Sequence, residues 1–268
     1  MHRHLTTIAF AAGLVMAGGA QASSVHGHAM QCSFNSDYDV QIKPDGIAFS
    51  RESGPAQTVF IHDGQLRIDG RPVTVSPQDG ARLRSYERQV RDLLPAMAGI
   101  ARDGVDIGYS AMTTVAATLT DDSDERTRIM DKLRDRHDEA LQQIDVTLGH
   151  GFWKAGDSGE TFGAAVEEAV ADMVGSITRD VLNDALSNDP SKLASLQART
   201  SALETTLDKA VEQPAEKLAQ RADALCPSLG QLEQLQQQFQ FRLPNGERLT
   251  LLSSDTDGND KASHYAQR

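Results

Sequence analysis

The hydrophobic period of this chain changes at residue 76, and that change limits its possible folds more than any other feature. Before it, apolar side chains come in short runs: Asp39-Val40-Gln41-Ile42, Ile47-Ala48-Phe49, Thr58-Val59-Phe60-Ile61 and Gln65-Leu66-Arg67-Ile68. A period of two places the apolar set on one face of a strand. Asp45-Gly46, Asp63-Gly64 and Asp69-Gly70 separate the runs. Asp-Gly between such runs is a hairpin signal, because the tightest turns need positive φ and Gly accepts it without steric cost. The reading is a meander of four or five antiparallel strands within residues 23–75. A lone sheet exposes an apolar face, so something must cover it.

The cover follows directly. From Ser76-Pro77 the period becomes 3.6, with Leu83, Tyr86, Val90, Leu93, Leu94, Met97 and Ile100 on one side of a helix. Pro95 removes a backbone donor within that helix and predicts a kink or break, with a further helical piece at 105–119. Asp121, Asp122, Asp124 and Glu125 supply negative charge to the first turn of a helix at 123–148. Gly149, Gly151, Gly156 and Gly159 break that helix, and Trp153 falls in the resulting loop. The most apolar helix is expected at 160–187, carrying Phe162, Val166, Val170, Met173 and Val174, as the centre of a bundle. Another runs from Pro190 to about 213, Pro214 interrupts, and a leucine stripe continues through Leu218, Leu225 and Leu232. Although Leu and Gln dominate there, the prolines argue for packing inside a helical domain rather than an extended coiled coil.

The last apolar segment returns to strand text. Phe239-Gln240-Phe241-Arg242-Leu243, the turn Pro244-Asn245-Gly246 and Arg248-Leu249-Thr250-Leu251-Leu252 read as a hairpin at 239–252 that adds to the amino-terminal sheet. Residues 253–268 are polar and are expected to form a disordered tail. The fold class is therefore α+β: a small antiparallel sheet, joined by a C-terminal hairpin, packed on a mainly α-helical bundle spanning 76–238.

The first 22 residues stand apart. Arg3 lies beside His2 and His4, an apolar run spans residues 5–16, and Gly18, Gly19, Ala20, Gln21 and Ala22 follow. This is the pattern of a cleaved signal peptide, with the cut between Ala22 and Ser23, and the run is too short for a membrane anchor. The expected location is the periplasm. Removing the leader takes away only Arg3, leaving 25 basic against 38 acidic side chains, a formal charge of −13. Such a balance opposes nucleic-acid binding and adhesion to anionic lipid. No later stretch is apolar for 18 residues, so no membrane insertion is expected after cleavage. Two cysteines remain, Cys32 and Cys226. In an oxidising compartment they predict one disulfide clasping the two ends, with two buried thiols as the alternative.

Catalytic patterns are missing from the sequence: there is no His-Glu-x-x-His pair, Gly-rich phosphate loop or Gly-x-Ser-x-Gly elbow. Asp135-Arg136-His137-Asp138-Glu139 places a His among acids, but successive helix residues point in different directions, and the segment reads as a solvated face. Asp255-Thr256-Asp257-Gly258 departs from a calcium loop in its Gly position. His26 and His28, in the mature terminus, are weak copper or zinc candidates, with His62 and His150 elsewhere. Trp153 reads as a cap on the core, or otherwise as a binding aromatic. No catalytic residue and no cofactor are assigned.

The order of these features, together with residues 86–95, which include Leu93-Leu94-Pro95, early Cys32 and late Cys226, resembles the YggN-like family of Gram-negative periplasmic proteins. The resemblance implies the compartment and no activity, since none is assigned to that family. The expected function is a non-enzymatic binding, assembly or envelope-stress factor engaging an envelope protein or ligand. A hydrolase of envelope material and a small-molecule or metal carrier are the alternatives.

Overall fold

The computed structural model describes residues 34–120, 122–155 and 190–254. Strands β1 (Phe34–Asn35), β2 (Asp39–Lys43), β3 (Gly46–Ser50), β4 (Thr58–His62), β5 (Gln65–Ile68) and β6 (Arg71–Val73) lead into helix α1 (Pro77–Leu119). Helix α2 (Ser123–Val146), strand β7 (Phe152–Trp153), helices α3 (Pro190–Leu207), α4 (Gln213–Asp223) and α5 (Cys226–Gln237), and strand β8 (Ser253–Ser254) complete the order.

The meander forms as the period of two requires. Its antiparallel sheet has the order β6-β5-β4-β3-β2-β7. Two Asp-Gly pairs make two-residue turns with both φ positive, Asp63 at 43° with Gly64 at 78° and Asp69 at 48° with Gly70 at 75°. Val40, Ile47, Phe49, Val59, Ile61, Leu66 and Ile68 are buried on one face. Both edges are blunted: Pro72 lies on β6, and β7 covers the middle of β2, where the Ile42 amide also donates to the Gly151 carbonyl at 2.8 Å.

Helix α1 starts where Ser76 caps it, the hydroxyl accepting from the Asp79 amide at 3.1 Å, with Pro77 in the first turn. Its Leu83, Tyr86, Val90, Leu93 and Leu94 press on the sheet, and Leu232 of α5 with Phe239, Leu243, Leu249 and Leu251 completes the core. The rings of Tyr38, Phe49, Tyr86 and Phe239 run through it in series, with centroids 6.5, 6.2 and 6.1 Å apart.

Of the kink or break expected at Pro95, the break does not occur. One helix of 43 residues, about 64 Å at 1.5 Å per residue, carries the chain through it, and the separate piece at 105–119 is the helix's far end. The loss of one hydrogen bond at Pro95 is offset by the burial of Leu93, Leu94 and Ala98 around it. Beyond the sheet, α1 pairs antiparallel with α2, whose N-cap Asp122 accepts from the Glu125 amide at 2.7 Å. A second, smaller core holds this arm: Ala116 and Leu133 are buried, with Tyr109, Met112, Val115, Leu119 and Ile129 packed around them and partly covered.

Pro214 also fails to interrupt its helix. Residues 208–212 form a π-helical segment that links α3 to α4, and the Gln213 amide donates to the Asp208 carbonyl five residues back. Widening the helix just before a residue without an N–H accommodates the proline without ending the rod.

The C-terminal turn forms, with Gly246 donating to the Leu243 carbonyl at 2.8 Å and Leu243 to the Glu247 carbonyl at 2.9 Å. Its arms, however, are not strands and do not extend the six-stranded sheet. They are held by side chains, and among the described residues Ser253–Ser254 alone pairs with the amino-terminal chain, as β8 against β1. The expected helix at 160–187 and the tail at 255–268 lie outside the described residues.

Candidate functional site

Buried polar side chains are the first places to look for chemistry, because the large majority of them are partnered in folded proteins. Asp79, in the first turn of α1, is 1 % exposed; its carboxylate accepts from the Gln240 amide at 3.2 Å and pairs with Arg82 at 2.9 Å. Glu87, two turns further on, accepts from the Asp63 amide at 2.9 Å and from Arg91 at 2.9 Å, while His62 stands 3.8 Å away. Arg91 also donates to the Lys43 carbonyl at 3.0 Å. Gln236, on α5, accepts from the amides of Leu251 at 2.9 Å and Leu252 at 3.1 Å, and donates to the Leu252 carbonyl. Each group therefore holds a backbone segment remote in sequence: Asp79 the start of the C-terminal segment, Glu87 the β4–β5 turn, and Gln236 the chain's return toward β1. Sequence periodicity missed all three, since each falls outside the apolar stripes.

The buried tyrosines are held neutral. Burial raises Tyr38, against the partial opposition of the Arg51 guanidinium, which lies 4.5 Å over its ring, and burial raises Tyr86 further. The Tyr38 hydroxyl donates to the Ala56 carbonyl at 2.9 Å.

The predicted residues are scattered. His26, His28 and Cys32 lie outside the described residues, as do Asp255 and its neighbours. Cys226 opens α5. His62 ends β4, whereas His150 sits in the short 3₁₀ turn Leu148–His150 and contacts the Asp145 carbonyl at 2.5 Å. Among the described residues, no group of three or more His, Cys, Asp or Glu side chains is placed to hold a metal. Trp153 is not in a loop: it pairs with Val40 at the sheet edge and packs on the main core.

His137 requires a correction to the solvated-face reading. Its side chain is only 17 % exposed, lying between the arm helices. Nε2 meets Asp106 Oδ1 at 2.7 Å, Nδ1 meets Asp138 Oδ1 at 3.3 Å, and the Tyr109 ring lies against it at 4.5 Å between centroids. Arg136 and Glu139 beside it do form the exposed ion pair expected of a helix face.

A line of carboxylates also marks the π segment. Glu212 is raised above the usual carboxylate range, first by a side-chain hydrogen bond with Asp208, then by desolvation and by the charges of Asp208 and Glu216.

No helix among the described residues is long and apolar enough to cross a membrane. No curated protein and no solved structure matches this chain. A model of a protein family of unknown function does match, over residues 32–252, and spans the sheet, the arm and the C-terminal segment alike. The chain belongs to that family, DUF2884.

Proposed function

We propose that the protein is an exported, non-enzymatic binding or assembly factor of the cell envelope, and that the α1–α2 arm engages its partner. The observation that carries this reading is the contrast between the two cores. Among the described residues, 19 buried apolar residues lock together around the sheet, whereas the arm's own apolar cluster has two buried members, Ala116 and Leu133, with five larger side chains only partly covered. A thinly packed amphipathic helix pair can repack on a partner at low cost. The sheet is less suited to that role, because both of its edges are blunted. Export rests on the pattern of residues 1–22 and on the resemblance to YggN-like periplasmic proteins. Hydrolysis would need two carboxylates facing one cleft; the buried Asp79 and Glu87 each hold a different backbone segment.

Photo-crosslinking in intact cells tests the reading. A crosslinkable residue at Met112 or Ile129 is expected to capture a discrete envelope partner, while the same residue at Thr58 or Gln65 on the sheet captures none. Equal capture from arm and sheet would overturn the assignment of the arm. Turnover of a cell-wall or lipid substrate by purified protein would overturn the non-enzymatic reading.

A further inference from the structure

From the placement of His137 we infer that the arm carries a proton-dependent clasp between α1 and α2, distinct from the partner reading and testable without it. Both ring nitrogens face carboxylate oxygens, Nε2 toward Asp106 on α1 and Nδ1 toward Asp138 on α2. An ionised carboxylate only accepts, and a neutral imidazole has one N–H, so both contacts are hydrogen bonds only when the ring is charged. Neutral, the ring keeps its proton on Nε2 for the 2.7 Å partner, and the Nδ1 lone pair then faces the Asp138 carboxylate. The bond across the arm also changes from an ion pair to a weaker neutral donor on a carboxylate.

Among the described residues, Asp106 and Asp138 are the charged groups that contact the ring, and Tyr109 covers it. The nearby cations are engaged elsewhere: Arg134 with Asp131, Arg136 with Glu139, and Arg102 with Asp145 across the same helix pair. Of these two links between α1 and α2, only His137–Asp106 contains an imidazole, the side chain suited to change charge under mild acid. The sign follows. A charged ring closes the clasp, and loss of the ring's proton loosens an arm whose own core is small.

The test is amide hydrogen exchange of the full mature chain at pH 5 and pH 8, corrected for intrinsic exchange rates. Protection in α2 is expected to fall roughly two- to fivefold at the higher pH, the worth of an ion pair with exposed carboxylates losing one charge. H137Q and, separately, D106N should abolish that fall, while R102Q should lower protection equally at both pH values. If H137Q does not fold, ring ¹⁵N shifts of His137 in the unaltered chain decide: a charged ring with both nitrogens protonated in acid, and a neutral ring with its proton on Nε2 in base, are expected. Wild-type protection that does not change, a fall that persists in a folded H137Q, or a ring that keeps one charge state throughout would overturn the clasp.

Discussion

Two glycines with nearly the same backbone show how a residue's surroundings decide its worth. Gly64 and Gly70 have φ of 78° and 75°, each at the second position of an Asp-Gly turn. A Cβ on Gly70 would meet nothing within 4 Å, whereas on Gly64 it would lie 2.6 Å from the Gly80 carbonyl oxygen of α1. Gly70→Ala should therefore cost only the left-handed backbone penalty, about 1 kcal/mol. Gly64→Ala should cost at least twice that, roughly 2–4 kcal/mol, because the turn must also lift from the helix. Urea unfolding midpoints of the two variants check the difference. Both turns were legible as Asp-Gly pairs; that one of them docks on α1 was not, because the contact joins residues 16 apart through two different elements.

At the scale of elements, prolines and carboxylates behave differently from their local signals. Pro95 reads as a kink or break and Pro214 as an interruption, yet both lie within continuous helical rods, the first held by buried neighbours and the second by the π segment ahead of it. Those outcomes depend on packing, which propensity does not contain. The π segment also sets a pH dependence. With Glu212 raised, the folded chain binds more protons than the unfolded chain as pH climbs from the ordinary carboxylate value toward the raised one. Its contribution to stability is thus full at low pH and lost as pH rises through that window. Glu212→Gln should be more stable than the wild type at pH 7, and the advantage should shrink as pH falls through the carboxylate range. Thermal unfolding of both proteins from pH 3.5 to 7 reads this directly, and an advantage independent of pH would contradict it.

For the whole molecule, the question is what ties the two ends together. β1 pairs with β8 directly, Phe34 opposite Ser254, and Glu233 of α5 accepts from the Ser254 amide at 3.2 Å. Residue 34 follows Cys32 by two positions, and Cys226 opens the helix that bears Glu233. This arrangement supports a Cys32–Cys226 disulfide, which in the chain-entropy model would restrict the unfolded state by roughly 5 kcal/mol at most. Intact-mass measurement after alkylation without reduction should show no modified cysteine in exported material. Reduction should lower the melting temperature and leave helical circular dichroism in place, since the main core does not depend on the bridge; two alkylated thiols in the unreduced protein would rule the bridge out.

By itself the sequence determined what depends on neighbours along the chain. The period of two with its Asp-Gly turns, the cap at Ser76 and the 3.6 period after it specified an antiparallel meander covered by helices, since local sterics and one-sided burial suffice for each. Tertiary structure decided the rest: that α1 continues past Pro95 without a break, that Trp153 closes a sheet edge, that Gln236 takes the place of a strand partner for the C-terminal segment, and that His137 reaches Asp106. Each of these needs two segments brought together by a core formed elsewhere, and periodicity along one segment carries no record of the group that will face it.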